Sequence, residues 1–249
     1  MLYGYPDTTA KTSSKQIKPA TVLVVGATGR TGQLIVSQLI SQDYQVRIFV
    51  RNPVKANQLF NGTVEVVTGD VRDKDHVTKA INGIHKIISV IGTAGSNDPG
   101  NRPEFVDYGG AKNLVSAAAS ENVEHFVMVS SRSAGQQKHI LNERHHNVLM
   151  WKLKAENVLR DSKIPYTIIR PGGLQDKQGG QHGILAFAPQ QGDTKLKMIP
   201  REDVAATCVA ALNSNKAIGK TLAIVSDPSA PIHQWDQLFM DIPADQAEL

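Results

Sequence analysis

Short apolar runs alternate with amphipathic stretches over most of the chain. The early runs are almost continuously apolar and rich in β-branched residues, which is typical of strands covered on both faces. The stretches between them have helical spacing, and this alternation predicts an α/β fold with a doubly wound parallel sheet of about seven strands. The predicted strands are Thr21–Val25, Val46–Val50, Val64–Val67, Lys86–Ile91, His125–Ser130, Tyr166–Arg170 and Thr221–Val225. The predicted helices are Gly32–Ser41, Lys74–Ile81, Phe105–Glu121, Val148–Ser162, Glu202–Leu212 and Ile232 to about Met240.

Two segments depart from this alternation. Residues 1–18 are rich in Thr, Ser, Lys and Gln, so we expect a flexible N-terminal tail ahead of a single domain over residues 19–249. The segment Gly172–Pro200 is rich in Gly and Gln and follows the sixth predicted strand. Compact domains rarely keep such a long irregular loop without a function, so we expect a small substrate lobe there.

Composition and charge exclude several classes of protein. No apolar run approaches the roughly 20 residues that span a bilayer. The net charge, 27 − 23 = +4, is too small and too scattered for dedicated nucleic-acid binding. The single cysteine, Cys208, lies in an apolar run, which predicts a buried, inert thiol, and His139, His145 and His146 lack the spacing of metal ligands. We therefore expect a cytoplasmic monomer or dimer without a metal, acting on a small molecule or a partner protein.

A glycine-rich turn joins the first predicted strand to the first predicted helix. Gly26, Gly29 and Gly32 form the spacing G-x-x-G-x-x-G, with Thr28 and Thr31 between them. One glycine permits the tight turn, another lets the backbone approach a pyrophosphate, and the third lets the helix pack closely on the strand. The amide groups of the helix N-terminus then face the phosphates. At this place in the chain the motif predicts a Rossmann-type dinucleotide-binding site.

Basic residues stand where an acidic residue would mark a site for NAD. The second predicted strand ends at Val50 and is followed by Arg51 and, one helical turn later, by Lys55, while Arg30 lies inside the glycine turn. A guanidinium group binds phosphate bidentately, so these residues predict recognition of the 2′-phosphate of NADP(H). For Lys55, a solvated surface charge is an equal alternative.

Two later loops complete the predicted cofactor site. Asp70 and Val71 follow the third strand, and Ile91 and Gly92 stand at the end of the fourth. Ligands of open α/β sheets bind beyond the carboxyl ends of the strands, so we expect these loops to meet the adenine and the nicotinamide ribose respectively. Asp70 is also a candidate helix N-cap, a role compatible with cofactor binding.

The glycine turn, the Gly69–Val71 step and the segment Tyr166–Gly173 resemble the atypical short-chain dehydrogenase/reductases. The resemblance is to their NmrA-like and biliverdin-reductase-B-like NAD(P)-binding members. The stretch Val148–Glu156 is similar to an uncharacterised plant and bacterial branch that includes chloroplast-import-associated NADP-binding proteins. The resemblance covers most of the chain and implies a parallel sheet of order 3-2-1-4-5-6-7, with substrate near the irregular segment.

The resemblance also implies a role for each residue of the site. The glycines would hold the pyrophosphate, the basic residues the 2′-phosphate, and Ser130 would lie beside the nicotinamide ribose. Pro171, Gly172 and Gly173 would border the nicotinamide pocket. The predicted cofactor-binding residues are Gly26, Thr28, Gly29, Arg30, Thr31, Gly32, Arg51, Lys55, Asp70, Val71, Ile91, Gly92, Ser130, Lys152, Pro171, Gly172 and Gly173.

One position departs from the catalytic pattern of the family. Reductases of the wider family carry Tyr-x-x-x-Lys on the helix after strand five, where the tyrosine exchanges a proton and the lysine holds the ribose. Lys152 matches the lysine of that pattern, and Ser131, with Ser130 as the second choice, matches the serine, but Val148 stands at the tyrosine position. The string Tyr108–Lys112 has the right spacing but precedes strand five, so we interpret it as chance. Ser131 and Lys152 are the predicted catalytic residues.

Two functions from different classes fit these observations. The first is an NADPH-dependent reductase of a quinone, a flavin or an enone, because such acceptors delocalise charge and water can supply the proton. The second is a non-catalytic NADP(H) redox sensor or an assembly protein. A reductase needs an open pocket over the nicotinamide, whereas a sensor should bind oxidised and reduced cofactor unequally. A sugar-nucleotide epimerase would also need the missing tyrosine and fits less well.

Overall fold

A central eight-stranded sheet organises the computed structural model, which describes residues 20–93, 96, 98–189, 197–232 and 234–246. The predicted tail at residues 1–18 lies outside the described residues. In chain order, the strands of the described part are β1 (Thr21–Val25), β2 (Gln45–Val50), β3 (Glu65–Thr68), β4 (Lys86–Ser89), β5 (His125–Val129), β6 (Tyr166–Pro171), β7 (Gly173–Gln175), β8 (Gly183–Phe187), β9 (Met198–Pro200) and β10 (Lys220–Asp227).

The sheet has the order β3-β2-β1-β4-β5-β6-β10-β8, which confirms the predicted Rossmann-type, doubly wound arrangement. All neighbouring strands are parallel except β8, which runs antiparallel to β10 at the edge. The estimate of about seven strands was therefore one short. The additional strand lies within Gly172–Pro200, which was predicted to be irregular, and β7 pairs with β9 in a separate small sheet. Neither β7 nor β9 is long enough to give a periodic signal, so only pairing defines them.

Helices cover both faces of this sheet. They are α1 (Arg30–Ser41), α2 (Pro53–Phe60), α3 (Lys74–Ile81), α4 (Ala111–Ser120), α5 (Ile140–Arg144), α6 (Val148–Asp161), α7 (Arg201–Leu212) and α8 (Trp235–Met240). Buried residues of α1, α2, α7 and α8 pack in one apolar cluster, and those of α3, α4 and α6 pack in a second. The sheet between the clusters is thus shielded from water, which explains its continuously apolar strands. None of the described helices is both long and apolar enough to cross a membrane.

Local capping explains two differences from the predicted helices. The short α2 was not predicted, although Asn52 accepts a hydrogen bond from the Lys55 amide (3.0 Å) and Pro53 begins the helix. At α3 the N-cap is Asp73, whose carboxylate accepts hydrogen bonds from the amides of Asp75 and His76. Asp70 is therefore not the cap of this helix.

The predicted helix Phe105–Glu121 is divided into two parts. Glu104–Gly110 forms a π-helical turn, with wider spacing than an α-helix, and α4 continues from it. Such turns are rare and occur often at functional sites, because they change the direction in which side chains point. The sequence carries no signal for it.

Burial keeps the imidazole of His125 neutral. This side chain on β5 is 3% exposed, and its Nε2 lies 2.9 Å from the hydroxyl of Thr167 on β6. Burial, and secondly the positive charge of Lys86, lower the pKa of His125 to about 4.

This depressed pKa predicts a loss of stability in mild acid. In the unfolded chain His125 takes up a proton near pH 6.5, whereas in the folded protein it does so only near pH 4. The contribution of His125 to the free energy of unfolding is therefore fully present above pH 6.5 and is lost as the pH falls below that value. Between pH 6.5 and 5 we expect the His125 contribution to the free energy of unfolding to fall by roughly 2 kcal/mol. Urea unfolding of wild type and His125→Gln over this range isolates the contribution as the difference between them. Parallel pH curves for the two proteins would contradict the assignment.

Candidate functional site

A crevice of about 330 Å³ opens at the carboxyl ends of β1, β2, β3 and β4. It lies where the chain order of the sheet reverses between β1 and β4, the usual ligand position in doubly wound folds. More than half of its lining residues belong to the predicted cofactor site, namely Gly26, Thr28, Gly29, Arg51, Lys55, Asp70, Val71, Ile91 and Gly92. Its other walls include Phe49 and Val106, which were not predicted. Phe49 precedes the end of β2 and could have been found from its position in the strand.

The glycine turn leaves no room for side chains at two positions. Gly26 has a φ of +90°, and a Cβ there would lie 2.7 Å from the carbonyl oxygen of Val90. A Cβ on Gly32 would lie 2.2 Å from the carbonyl oxygen of Gly26. Helix α1 therefore packs directly on the turn, with Thr31 and Gly32 buried in its first turn. The turn thus lies between the crevice and the N-terminus of α1, the position at which the sequence predicts pyrophosphate binding.

The crevice has a basic wall at the end of β2. Arg51 follows the strand, and its Nη1 donates to the side-chain oxygen of Asn101 (3.1 Å). Lys55 lies in the first turn of α2, and both basic side chains belong to exposed residues that line the crevice. No carboxylate stands at the end of β2 to accept ribose hydroxyls, so this wall suits a phosphate group better than a diol.

Asp70 is held by a neighbouring arginine. Its two carboxylate oxygens accept hydrogen bonds from Arg72 Nε (2.9 Å) and Nη2 (2.6 Å). The hydrogen bond with Arg72 lowers the pKa of Asp70, although partial burial opposes the shift. The carboxylate therefore stays ionised at the side of the crevice where the adenine is predicted.

Arg30, the third predicted basic residue, does not line the crevice. Its Nη1 contacts Asp176 at 2.6 Å, and Arg201 contacts the other oxygen of the same carboxylate at 2.6 Å. Arg30 is 69% exposed, so this pair is weak and can exchange for another anion. Its predicted contact with a 2′-phosphate requires that exchange.

A second, much smaller cavity of about 10 Å³ adjoins the crevice at Ile91, which lines both. It brings together Ser130 and Lys152 with Asp107 of the π-helical turn. The Lys152 ammonium lies 2.8 Å from a carboxylate oxygen of Asp107. The structure thus places Lys152 at the end of the crevice where the nicotinamide ribose is predicted. Asp107 was not predicted, because inside a predicted helix nothing distinguishes it from a surface acid.

Ser130 belongs to a buried charged network. Its hydroxyl donates to Glu156, which is fully buried on α6 and also accepts from Arg170 Nε (2.9 Å) and Arg160 Nη2 (2.9 Å). Arg160 reaches Asp245 near the C-terminus at 3.3 Å. This network fixes the end of β5 beside Lys152.

The structure separates Ser131 from this arrangement. Its hydroxyl accepts a hydrogen bond from the amide of Ser133 (3.3 Å), as in a tight turn, and Ser131 lines neither cavity. Ser130 is therefore the serine that the structure brings to Lys152. The catalytic role of Ser131 stays a prediction.

The segment Pro171–Gly173 also lines neither cavity. The amide of Gly172 donates to the carbonyl of Ile224 (2.9 Å), and the amide of Gly173 donates to the carbonyl of Lys197 (3.1 Å). The first bond joins the residue after β6 to β10, and the second joins the start of β7 to the residue before β9. The predicted contact of this segment with the nicotinamide stays a prediction.

Val148, at the position of the tyrosine in the Tyr-x-x-x-Lys pattern, is half-buried in the structure. Val148 is the first residue of α6, one helical turn before Lys152. Tyr108 lies on the π-helical turn, and its ring centroid is 5.7 Å from that of Trp151 on α6. Tyr108 is thus closer to α6 than the order of elements suggested, but it lines neither cavity.

The remaining predicted positions have ordinary structural surroundings. Cys208 is fully buried, and burial raises the pKa of its thiol. His139 caps α5 by accepting a hydrogen bond from the Leu141 amide (3.1 Å). Among the described residues, no group of three His, Cys, Asp or Glu side chains is placed to hold a metal ion.

Comparison with known proteins agrees with this geometry. A family described as NAD(P)H-binding matches residues 26–215. An uncharacterised chloroplastic protein of Arabidopsis thaliana is 37% identical, with 90% of this chain and 76% of that protein covered. Sanguinarine reductase of Eschscholzia californica is 34% identical, with 85% of this chain and 90% of that protein covered. A solved Bacillus halodurans structure, described as a provisional NAD-dependent epimerase/dehydratase, has a TM-score of 0.77 and 25% identity, with 88% of this chain and 99% of that one covered.

Proposed function

The chain belongs to the NAD(P)H-binding family, and on this premise we propose that it is an NADPH-dependent reductase of a small, electron-poor acceptor such as a quinone, a flavin or an enone. The proposal is carried by the proximity of Lys152 to the crevice: Ile91 lines both the crevice and the small Lys152 cavity, and a Cβ on Gly92, which also lines the crevice, would lie 3.9 Å from Lys152 Nζ. A dinucleotide that lies along the crevice would therefore end close to the half-buried ammonium group of Lys152 and to Ser130. The relation to sanguinarine reductase supports a reductase.

The basic wall supports NADP(H) over NAD(H). Arg51 and Lys55 line the crevice together, and a 2′-phosphate would receive charge-assisted hydrogen bonds from both. Asp70, which follows the neighbouring strand β3, lines the same crevice on the side where the adenine end of the cofactor would lie. The glycine turn holds the pyrophosphate between these groups and the N-terminus of α1.

When bound in the crevice, NADPH would be the source of the hydride, one hydrogen with two electrons, that reduces the acceptor. Lys152 would hold the ribose end of the cofactor, and Ser130, itself held by Glu156, lies beside Lys152 at the end of β5. Val148 has no proton to give, so solvent supplies the proton that completes reduction. This limits the reaction to acceptors whose reduced form spreads the negative charge. Orientation then provides most of the rate.

The preference for NADPH is tested by removing one guanidinium group. Arg51→Ala should weaken NADPH binding by about tenfold to a hundredfold, because charge-assisted hydrogen bonds to the 2′-phosphate are lost. NADH binding should change little, since NADH has no such phosphate. Calorimetric titration of both cofactors measures the ratio, with Lys74→Ala, an exposed cation on α3, as the control. An unchanged ratio of the two affinities in Arg51→Ala would show that the assignment to NADP is wrong.

Val148 also favours a second function, a redox sensor or assembly protein that binds NADP(H) without turnover. Such a protein needs the crevice but no proton donor. It would bind NADP⁺ and NADPH with clearly different affinities, and it would not oxidise NADPH whichever acceptor is offered. The partner would then be a protein rather than a small molecule.

The cellular location and the oligomeric state stay predictions. The sequence predicts a cytoplasmic monomer or dimer, whereas the Arabidopsis relative is named as a chloroplastic protein. We therefore propose a plastid location for this chain as the alternative to the cytoplasm.

A further inference from the structure

The carboxylate of Asp107 is one of the most completely buried charges near the crevice. Its side chain is 1% exposed, and that of Lys152 is 18% exposed. An ammonium group that has lost most of its water needs a counter-charge in contact, and Asp107 Oδ1 provides it at 2.8 Å. The pair is therefore not an exchangeable surface bridge like that of Arg30.

Asp107 connects three elements of the site. Its Oδ2 accepts a hydrogen bond from the backbone amide of Thr93 (3.3 Å), in the loop after β4, while Oδ1 contacts Lys152 on α6. The π-helical turn Glu104–Gly110 supplies the carboxylate itself. These contacts give the ammonium group a fixed position relative to the loop that lines the crevice.

Gly92 brings the crevice next to this ion pair. A Cβ on Gly92 would lie 3.6 Å from Asp107 Oδ1 and 3.9 Å from Lys152 Nζ. Gly92 lines the crevice, whereas Asp107 and Lys152 line the small cavity beside it. The ion pair therefore lies directly behind the loop that a cofactor in the crevice would contact.

From these contacts we propose that Asp107 is a positioning residue that acts through Lys152, holding its ammonium group against the Ile91–Gly92 loop so that it meets the sugar next to the nicotinamide. The inference rests on the proposed function and deepens it. Val148, one helical turn before Lys152, has no polar group with which to hold the ammonium. The carboxylate of Asp107 is the group in contact with it.

A double-mutant cycle tests the inference. Asp107→Asn keeps the shape of the side chain but removes its charge, and Lys152→Met keeps the length of the lysine without its charge. Each single variant should weaken NADPH binding and lower kcat by about tenfold to a hundredfold, because a charge-assisted contact with the cofactor is lost or misplaced. The double variant should be no worse than Lys152→Met alone, since Asp107 acts only through that lysine. Asp161→Asn, an exposed acid at the end of α6, is the matched control.

Two results would overturn the inference. Wild-type affinity and kcat in Asp107→Asn would show that the lysine needs no orientation, and fully additive losses would show that Asp107 acts by another route. If Asp107→Asn does not fold, Asp107→Glu replaces it, because it keeps the buried charge and displaces the ammonium group by one methylene. If none of the acceptors supports NADPH oxidation by the wild-type protein, the proposed reductase activity is wrong. The NADPH affinities of the same variants still decide whether Asp107 positions Lys152.

Discussion

Glu156→Gln is expected to lower the free energy of unfolding by about 3–5 kcal/mol, the loss typical of breaking a buried ion pair by changing one partner. Glu156 is fully buried and receives hydrogen bonds from Arg170 and Arg160 as well as from Ser130. A glutamine amide leaves two guanidinium groups without their common counter-charge, and the loss is greatest for Arg170, which is 8% exposed, because Arg160 is 23% exposed and keeps Asp245 as a partner.

Chemical denaturation of Glu156→Gln measures this loss directly. Glu124→Gln, which changes an exposed carboxylate just before β5, is the matched control and should stay within about 0.5 kcal/mol of wild type. A glutamine variant at position 156 with nearly wild-type stability would mean that the buried Arg170 does not depend on a charge at this position. Ser130 would then not be held in place by an essential ion-pair network.

Gly32→Ala is expected to abolish measurable NADPH binding. The new Cβ would lie 2.2 Å from the carbonyl oxygen of Gly26, so α1 must move away from the turn. We expect a loss of stability of about 1–3 kcal/mol from this overpacking. Displacement of the helix N-terminus also removes several amide contacts with the phosphates, each worth about 1.5–3 kcal/mol, so affinity should fall by at least about a hundredfold.

The control for Gly32→Ala is Ser37→Ala, an exposed position further along α1. It should bind NADPH as wild type does, since it changes neither the turn nor the helix N-terminus. A folded Gly32→Ala protein with wild-type affinity would show that the glycine turn does not carry the pyrophosphate.

The parallel core could be predicted because its strands are buried on both faces. A strand such as Thr21–Val25 must be apolar along its length because both of its faces are buried, so the run is visible in the sequence. The observed strand has the same bounds as the predicted one. The edge strand Gly183–Phe187 escaped prediction because pairing with β10, rather than its own residues, defines it. The short helix Pro53–Phe60 was not predicted, although Asn52 and Pro53 are residue types typical of a helix start.

The crevice was more predictable than the region beyond it. The positive φ at Gly26 favours glycine, and a phosphate next to position 51 favours a basic residue. The residue type at each position therefore indicates its role. Lys152 gains its setting from Asp107, forty-five positions earlier in the chain, through a π-helical turn that no local pattern encodes. Ser130 and Ser131 could not be distinguished for the same reason, since only the contact with Glu156 separates them.

The most direct test of a tyrosine-free reductase is to mix the protein with NADPH and a panel of a quinone, a flavin, an enone and an aldehyde, following NADPH absorbance. We expect tight NADPH binding, oxidation with at least one of the first three acceptors, no turnover of the aldehyde, and a kcat lowered by about tenfold to a hundredfold in Lys152→Met. Tight binding without oxidation by any acceptor would contradict the reductase and leave the sensor. Failure to bind either cofactor would contradict the assignment of the crevice itself.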